Sequence, residues 1–379
     1  MKNPSAFRKA NFNTKSSIFI KSLQMPDPSN PPTGPFLKGR GAQYNPANPY
    51  HRFAYETDPG FVEDQETTYI EVHPKTILNK VNSPDIGFEY SLNPYQGCEH
   101  GCIYCYARLT HAYWGYSAGL DFESKILVKS AAPALLEEAL RKPGMEHLPI
   151  MLAGNTDIYQ PAERKFGITR KILEVLLKYR FPASMLTKNN LILRDLDLLK
   201  ELSARNLIRT GITLTTLDDT LRRFLEPRAT SIRLRLETIR ILASEGIPVF
   251  VMLAPIIPGL NEHEMLPMAE KAAELGAYGI GYSVVRLNGE IGPLFEDWIR
   301  KTYPDRADKV LQKIRDCHNG SLEDKRFGKR MTGEGKISEI LRQQYELAKR
   351  LYFKDKIKPE YDFSAYQKLI NPQLDLFGE

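Results

Sequence analysis

The sequence predicts an α/β protein built on a parallel sheet, and three observations carry that prediction. Between residues 87 and 290, short β-like runs alternate with longer amphipathic stretches, six times over. Repeated strand–helix alternation implies parallel strands joined by right-handed crossovers. Finally, no G-x-G-x-x-G follows the first strand, where a doubly wound sheet would hold a pyrophosphate. Six units are too few to close an eight-stranded barrel.

The elements follow in order. Residues 1 to about 45 are rich in Pro, Asn, Ser and Gly, so 1–85 is assigned to an N-terminal arm. Within it, 39–46 through 52–55 mix aromatics, arginine and turn residues and read as a wrap over the core. The core is expected over 86–290. Its strands are predicted at 88–92, 149–153, 183–187, 209–215, 249–253 and 279–286. The helices between them are predicted at 168–179, 195–204, 231–245 and 264–275, with Gly246 as a C-cap. After Gly292 the alternation stops. Helices over 295–313 and 337–352 then define a helical C-terminal region, 291–379, with a basic, glycine-punctuated segment at 325–336 between them.

Length and composition set outer limits. A chain of 379 residues can bury a large core, and 42% hydrophobic residues excludes a disordered chain. A net charge of +6 permits a phosphate-bearing partner without requiring one. The N-terminus lacks the continuous apolar run of a signal peptide. The longest apolar run, 249–260, holds two prolines and cannot span a bilayer. A cytoplasmic location without membrane attachment is expected.

The chemistry concentrates in one stretch. Three of the four cysteines, Cys98, Cys102 and Cys105, fall within eight residues. Offsets of four and three let one loop aim three sulfurs at a common centre, and a soft metal is what thiolates so placed bind best. Three protein ligands leave a metal position open, the mark of a reactive rather than a structural site. Zinc held by the three thiolates with His100 or His111 is the alternative, in a nucleic-acid-binding protein without catalysis. A disulfide is disfavoured because three thiols leave one odd.

The C-x3-C-x2-C spacing, with Tyr104 just before the last cysteine, resembles the signature of radical S-adenosylmethionine (radical SAM) enzymes. The resemblance implies an open, partial (β/α)6 TIM-type barrel. It also implies that Cys98, Cys102 and Cys105 carry a [4Fe–4S] cluster whose fourth iron binds the methionyl amine and carboxylate of SAM. Reductive cleavage of SAM would then give a 5′-deoxyadenosyl radical, with flavodoxin or ferredoxin as electron donor. Contacts to SAM are expected from Tyr104; from Asn155 and Asp157 after the second strand; and from Thr213 and Thr215 at the end of the fourth. The segment Ile257-x-Gly259-x-x-Glu262 after the fifth strand resembles the adenine-side motif.

Within the superfamily, the runs 93–98, 104–108, 155–161 and 226–228 with Arg235-Leu236 resemble the spore-photoproduct-lyase-like branch, which includes proteins labelled DNA repair photolyases. A DNA lesion or other nucleic acid is the substrate this implies; an RNA or peptide substrate is the alternative. One departure matters. Spore photoproduct lyase uses a further cysteine inside its barrel, whereas no cysteine lies between Cys105 and Cys317 here, and Cys317 falls beyond the sixth strand. Gln373-Leu-Asp-Leu-Phe377 resembles the motif by which bacterial repair proteins dock on the replication sliding clamp.

Overall fold

A computed structural model describes residues 36–50, 66–142 and 144–370. Among these residues ten strands occur in chain order: β1 (Thr68–Glu71), β2 (Leu78–Lys80), β3 (Tyr90–Leu92), β4 (Tyr95–Gln96), β5 (Lys125–Val128), β6 (Ile150–Leu152), β7 (Ala183–Thr187), β8 (Ile208–Thr213), β9 (Val249–Ile256) and β10 (Gly279–Val284). Seven of them form one sheet in the order β10-β9-β8-β7-β6-β3-β2. The six from β3 to β10 are parallel, and β2 lies antiparallel on the outer edge of β3. Each parallel strand neighbours the next one in sequence, so the order never reverses. A doubly wound sheet reverses at its switch point. The arrangement is the open partial barrel expected; all six predicted strands are present, 183–187 with the predicted bounds and the other five with shifted ends.

The helices Ile168–Tyr179, Leu196–Ser203, Ile232–Ser244 and Met265–Glu274 occupy the predicted crossovers. They turn Ile172, Leu199, Ile239 and Met268, all fully buried, against the sheet. The first helix starts where it does because the Glu163 carboxylate accepts from the N–H groups of Ile168 and Thr169, at 3.1 Å each. These are donors that the first helical turn leaves without partners. Gly246 (φ +73°) follows the third of these helices as expected.

Several elements lie outside the sequence expectation. β1, β5 and β4 form a separate three-stranded sheet, and β2, taken from the arm, extends the main sheet. The predicted helix 295–313 is two helices, Ile291–Thr302 and Pro304–Cys317. Proline has no N–H to continue a helix but is well suited to begin one.

The C-terminal region closes the far edge of the sheet. Helix Gly335–Tyr352 packs there, with Tyr345 donating to the Ile280 carbonyl (3.0 Å) and its ring 4.7 Å from that of Tyr282. Cys317 is buried in this region, beneath Gly333. No helix among the described residues is long and apolar enough to cross a membrane. The clamp-like residues 373–377 lie outside the described residues.

Candidate active site

The cysteine loop leaves the C-terminal end of β3, where working residues of parallel α/β folds gather. Cys98 and Cys102 are buried and Cys105 is half-buried. Gly101 carries φ +68°, and a Cβ there would stand 2.8 Å from the Glu123 carboxylate, so only glycine fits this turn. Two layers of charge hold the loop. Fully buried Arg108 pairs with fully buried Glu123 (2.5 Å) and donates to the Cys102 carbonyl (3.0 Å). Glu123 also accepts from the backbone N–H of Gly41 (3.0 Å) and Ala42 (2.7 Å). A Cβ on Gly41 would overlap the Gly101 carbonyl at 1.7 Å. The segment around residues 40–43, expected as a surface wrap, is therefore locked against the cysteine loop.

A second network lies beneath Tyr104. Its hydroxyl donates to Glu226, whose other oxygen accepts from Arg235; both charged side chains are wholly buried. Thr215 Oγ1 lies 2.6 Å from Glu226 and 3.0 Å from the Ala254 carbonyl. Burial opposes ionisation of Glu226, but Arg235, Lys188 and the two hydroxyls overcome it and hold the carboxyl at about 2. Arg235 also donates to the Thr213 carbonyl (3.2 Å).

Lys188, at the end of β7, points into the same space. Its ammonium sits 6.0 Å from the Tyr104 ring centre and forms no hydrogen bond or ion pair among the described residues. Burial works against its charge, yet Cys102, Glu226 and Asp157 outweigh this and raise its pKa.

The expected SAM contacts divide into two groups. Tyr104, Thr213, Thr215 and Ile257 are buried around the loop. Asp157 is committed to the scaffold: it accepts from the Thr187 hydroxyl (2.7 Å) and the Lys188 N–H (2.8 Å) and faces His100 at 3.4 Å. Burial alone would raise its pKa; His100 and these hydrogen bonds hold it at about 2. Asn155 reaches Gln96 (3.1 Å) and Thr110 (3.0 Å), linking β4 to the segment after the cysteines. Glu262 accepts from the Gly259 N–H (2.7 Å) and pairs with Lys313 (2.6 Å), so it closes its own turn. The link between the ends of β8 and β9 is Asn261, unassigned from sequence, which donates to the carbonyls of Thr215 (2.7 Å) and Pro255 (3.0 Å).

Does this loop suit a metal cluster? Burial raises the Cys98 thiol well above its ordinary range and puts Cys102 at about 12. Buried thiols of this kind stay neutral until a metal cation ionises them. Three soft donors from one turn, with a lysine ammonium alongside, suit an anionic sulfur-rich cluster. Among the described residues no three His, Cys, Asp or Glu side chains yet converge on a metal position, so ligation would draw the cysteine side chains together. Zinc completed by histidine fits less well. His100 already faces Asp157 and Asn189 through its two ring nitrogens. His111 is walled in by the rings of Tyr116 and Phe122.

A loop of three cysteines at the mouth of an open six-stranded parallel barrel defines a radical SAM protein, and the chain belongs to that superfamily. The Radical SAM superfamily sequence model matches residues 92–272. The uncharacterized protein Rv2578c of Mycobacterium tuberculosis (strain ATCC 25618 / H37Rv) is 32% identical over 251 residues, 65% of this chain and 74% of that protein. The uncharacterized protein MJ0683 of Methanocaldococcus jannaschii is 29% identical over 246 residues, 64% of this chain and 87% of its own. In fold, the chain is similar to a spore photoproduct lyase variant with bound AdoMet and dinucleoside spore photoproduct. The TM-score is 0.56 at 17% identity, covering 79% of this chain and 85% of that one. The protein is a radical SAM enzyme.

Proposed function

We propose that Cys98, Cys102 and Cys105 hold a [4Fe–4S] cluster, that SAM binds above it, and that the substrate is a DNA lesion. The observation that carries the cofactor part is the cysteine loop clamped by Arg108–Glu123 beside the unpaired Lys188 ammonium. When bound and reduced, the cluster would supply the electron that splits SAM into methionine and a 5′-deoxyadenosyl radical. The chain's residues have separate tasks. Lys188 offers a positive charge to an anionic group, the role its missing partner leaves open. The Tyr104–Glu226–Arg235 network fixes the floor of the site, so that the loop does not reorganise when charge changes above it. Ile257 and its apolar neighbours exclude water. Fold likeness to a lyase solved with a dinucleoside photoproduct supports the DNA part. A flavodoxin or ferredoxin as electron donor and a reducing, cytoplasmic setting belong to the same proposal.

Anaerobic protein reconstituted with iron and sulfide is expected to turn brown and to yield 5′-deoxyadenosine from SAM and dithionite. Cys102→Ala is expected to lose both iron and product. Full iron content with undiminished 5′-deoxyadenosine in that variant overturns the cluster assignment. Sliding-clamp docking through Gln373–Phe377 is a separate proposal that rests on the motif alone. A peptide of residues 369–379 is expected to bind purified bacterial clamp at micromolar strength, and no detectable binding refutes it.

A further inference from the structure

A cavity opens beside the cysteine loop, reached through Tyr106. Its volume is about 540 Å³, inside the range of roughly 300–1,000 Å³ typical of small-ligand sites. Tyr50 and Tyr113 form one wall, their ring centres 5.1 Å apart and tilted by 30°; they are 58% and 73% exposed. Leu109 and Ile291 line the cavity with them. Large aromatic surface is seldom left to water unless something covers it.

Two polar side chains also line this cavity, and neither has a partner. Arg286 forms no hydrogen bond or ion pair among the described residues, and its Nη1 is buried. Glu290 Oε2 is likewise buried without a partner. Buried polar groups are normally hydrogen-bonded, so two orphans lining one cavity point to a ligand that completes them. Tyr106 connects this space to the cysteine loop. It lines the cavity, follows Cys105 directly, and lies close enough to Cys105, Lys188 and Arg286 to feel their charges.

We infer that this cavity binds one nucleotide of a single-stranded or locally opened polynucleotide. The base would stack on Tyr50 and Tyr113, Arg286 would take an adjacent phosphate, and Glu290 would meet the base edge. Two exposed, adjacent tyrosines beside an unpaired arginine suit this ligand, because every base offers a π-face and every nucleotide an anion. A duplex offers its bases only after extrusion from the stack, so an unpaired strand should bind more tightly than the same sequence in a duplex. The inference specifies where the substrate proposed above would sit, and it rests on that reading only for the chemistry that follows binding.

The test is fluorescence anisotropy of a labelled single-stranded DNA oligonucleotide with the reconstituted, anaerobic full-length protein, across a salt series. Wild type is expected to bind the single strand more tightly than the duplex. Tyr50→Ala with Tyr113→Ala should weaken binding by on the order of ten-fold or more, and Tyr50→Phe with Tyr113→Phe should restore it, because stacking needs only the ring. Arg286→Gln should weaken binding and lower the salt slope by about one. Melting curves establish that each variant is folded. Wild-type affinity and salt slope in the folded alanine and glutamine variants overturn the inference, as does binding confined to duplex. Absent binding by a protein that still forms 5′-deoxyadenosine overturns the inference and leaves the SAM reading intact. Binding without SAM cleavage does the reverse.

Discussion

The barrel mouth and the surface segment 325–336 are both cationic, but they handle charge in opposite ways. At the mouth, Lys188 and Arg286 have no acidic partner among the described residues. In the surface segment Lys325, Arg326, Lys329 and Arg330 each have one. Lys325 pairs with Glu323 (3.1 Å), Arg326 with Asp324 (2.8 Å), Lys329 with Glu334 (2.6 Å) and Arg330 with Asp85 (2.6 Å). Arg330 also stacks on Phe327, 4.4 Å from its ring centre. A cluster of basic letters thus marks no anion site when the fold supplies its counter-ions. The informative cations are the two isolated ones near Tyr106, where leaving a charge unpaired costs stability and implies a ligand.

The contrast is broken most severely by removing a fully buried partner. Arg235 neutralises Glu226 out of contact with water. Arg235→Met would strand that carboxylate and is expected to destabilise the fold by about 3–5 kcal/mol, read from urea unfolding. Replacing both, Glu226→Leu with Arg235→Met, should recover much of the loss, because an apolar pair of similar volume leaves no stranded charge. If the single variant unfolds like wild type, Glu226 is not held as a charge and the rigid-floor argument fails.

An intermediate effect is expected at Lys188. Its ammonium is unpaired, so Lys188→Met should leave thermal stability close to wild type or slightly higher. SAM binding should weaken by about 1.5–3 kcal/mol if a charge-assisted hydrogen bond is removed, roughly ten- to a hundred-fold in affinity. Equilibrium dialysis of SAM against reconstituted protein measures this. Unchanged SAM affinity combined with lower stability would make Lys188 a scaffold residue.

How far the sequence shows this is uneven, for physical reasons. The six parallel strands are short, and it is their repeated alternation with amphipathic stretches of helical spacing that makes them legible. β1, β4 and β5 are two to four residues long and are defined by pairing rather than by their own pattern. The cysteines are legible because ligand spacing is local. Lys188, Glu226 and Arg235 come from three different elements, and only the fold brings them together. One clue does lie in the sequence. In helix Ile232–Ser244, Arg235 falls on the same face as Ile232, Ile239 and Leu242, and an arginine in an apolar stripe needs a buried partner. Glu262 shows the opposite limit: the motif is legible, but whether its carboxylate faces a ligand or caps its own turn depends on Lys313, 51 residues away.

The smallest effect tests the comparison from the surface side. Changing Lys325, Arg326, Lys329 and Arg330 together to Ala removes four positive charges but also strands four acids: Glu323 and Glu334, which are partly exposed, and Asp85 and Asp324, which are buried. Exposed pairs contribute about 0.2–1 kcal/mol each, and the buried acids Asp85 and Asp324 should account for most of any loss in stability, although Asp324 keeps His318 as a partner. Because each cation is already satisfied, none is free to replace the counter-ions of a phosphate backbone. Oligonucleotide affinity should therefore stay within about two-fold of wild type, with the salt slope nearly unchanged. Removing a cation that does neutralise a phosphate would instead lower the slope by about 0.7–0.9. Substituting Asp85, Glu323, Asp324 and Glu334 would free the same cations and should increase both affinity and salt slope. A large loss of binding in the first variant would show that the acids release their partners to the strand. The division between paired and unpaired cations would then no longer separate scaffold from site.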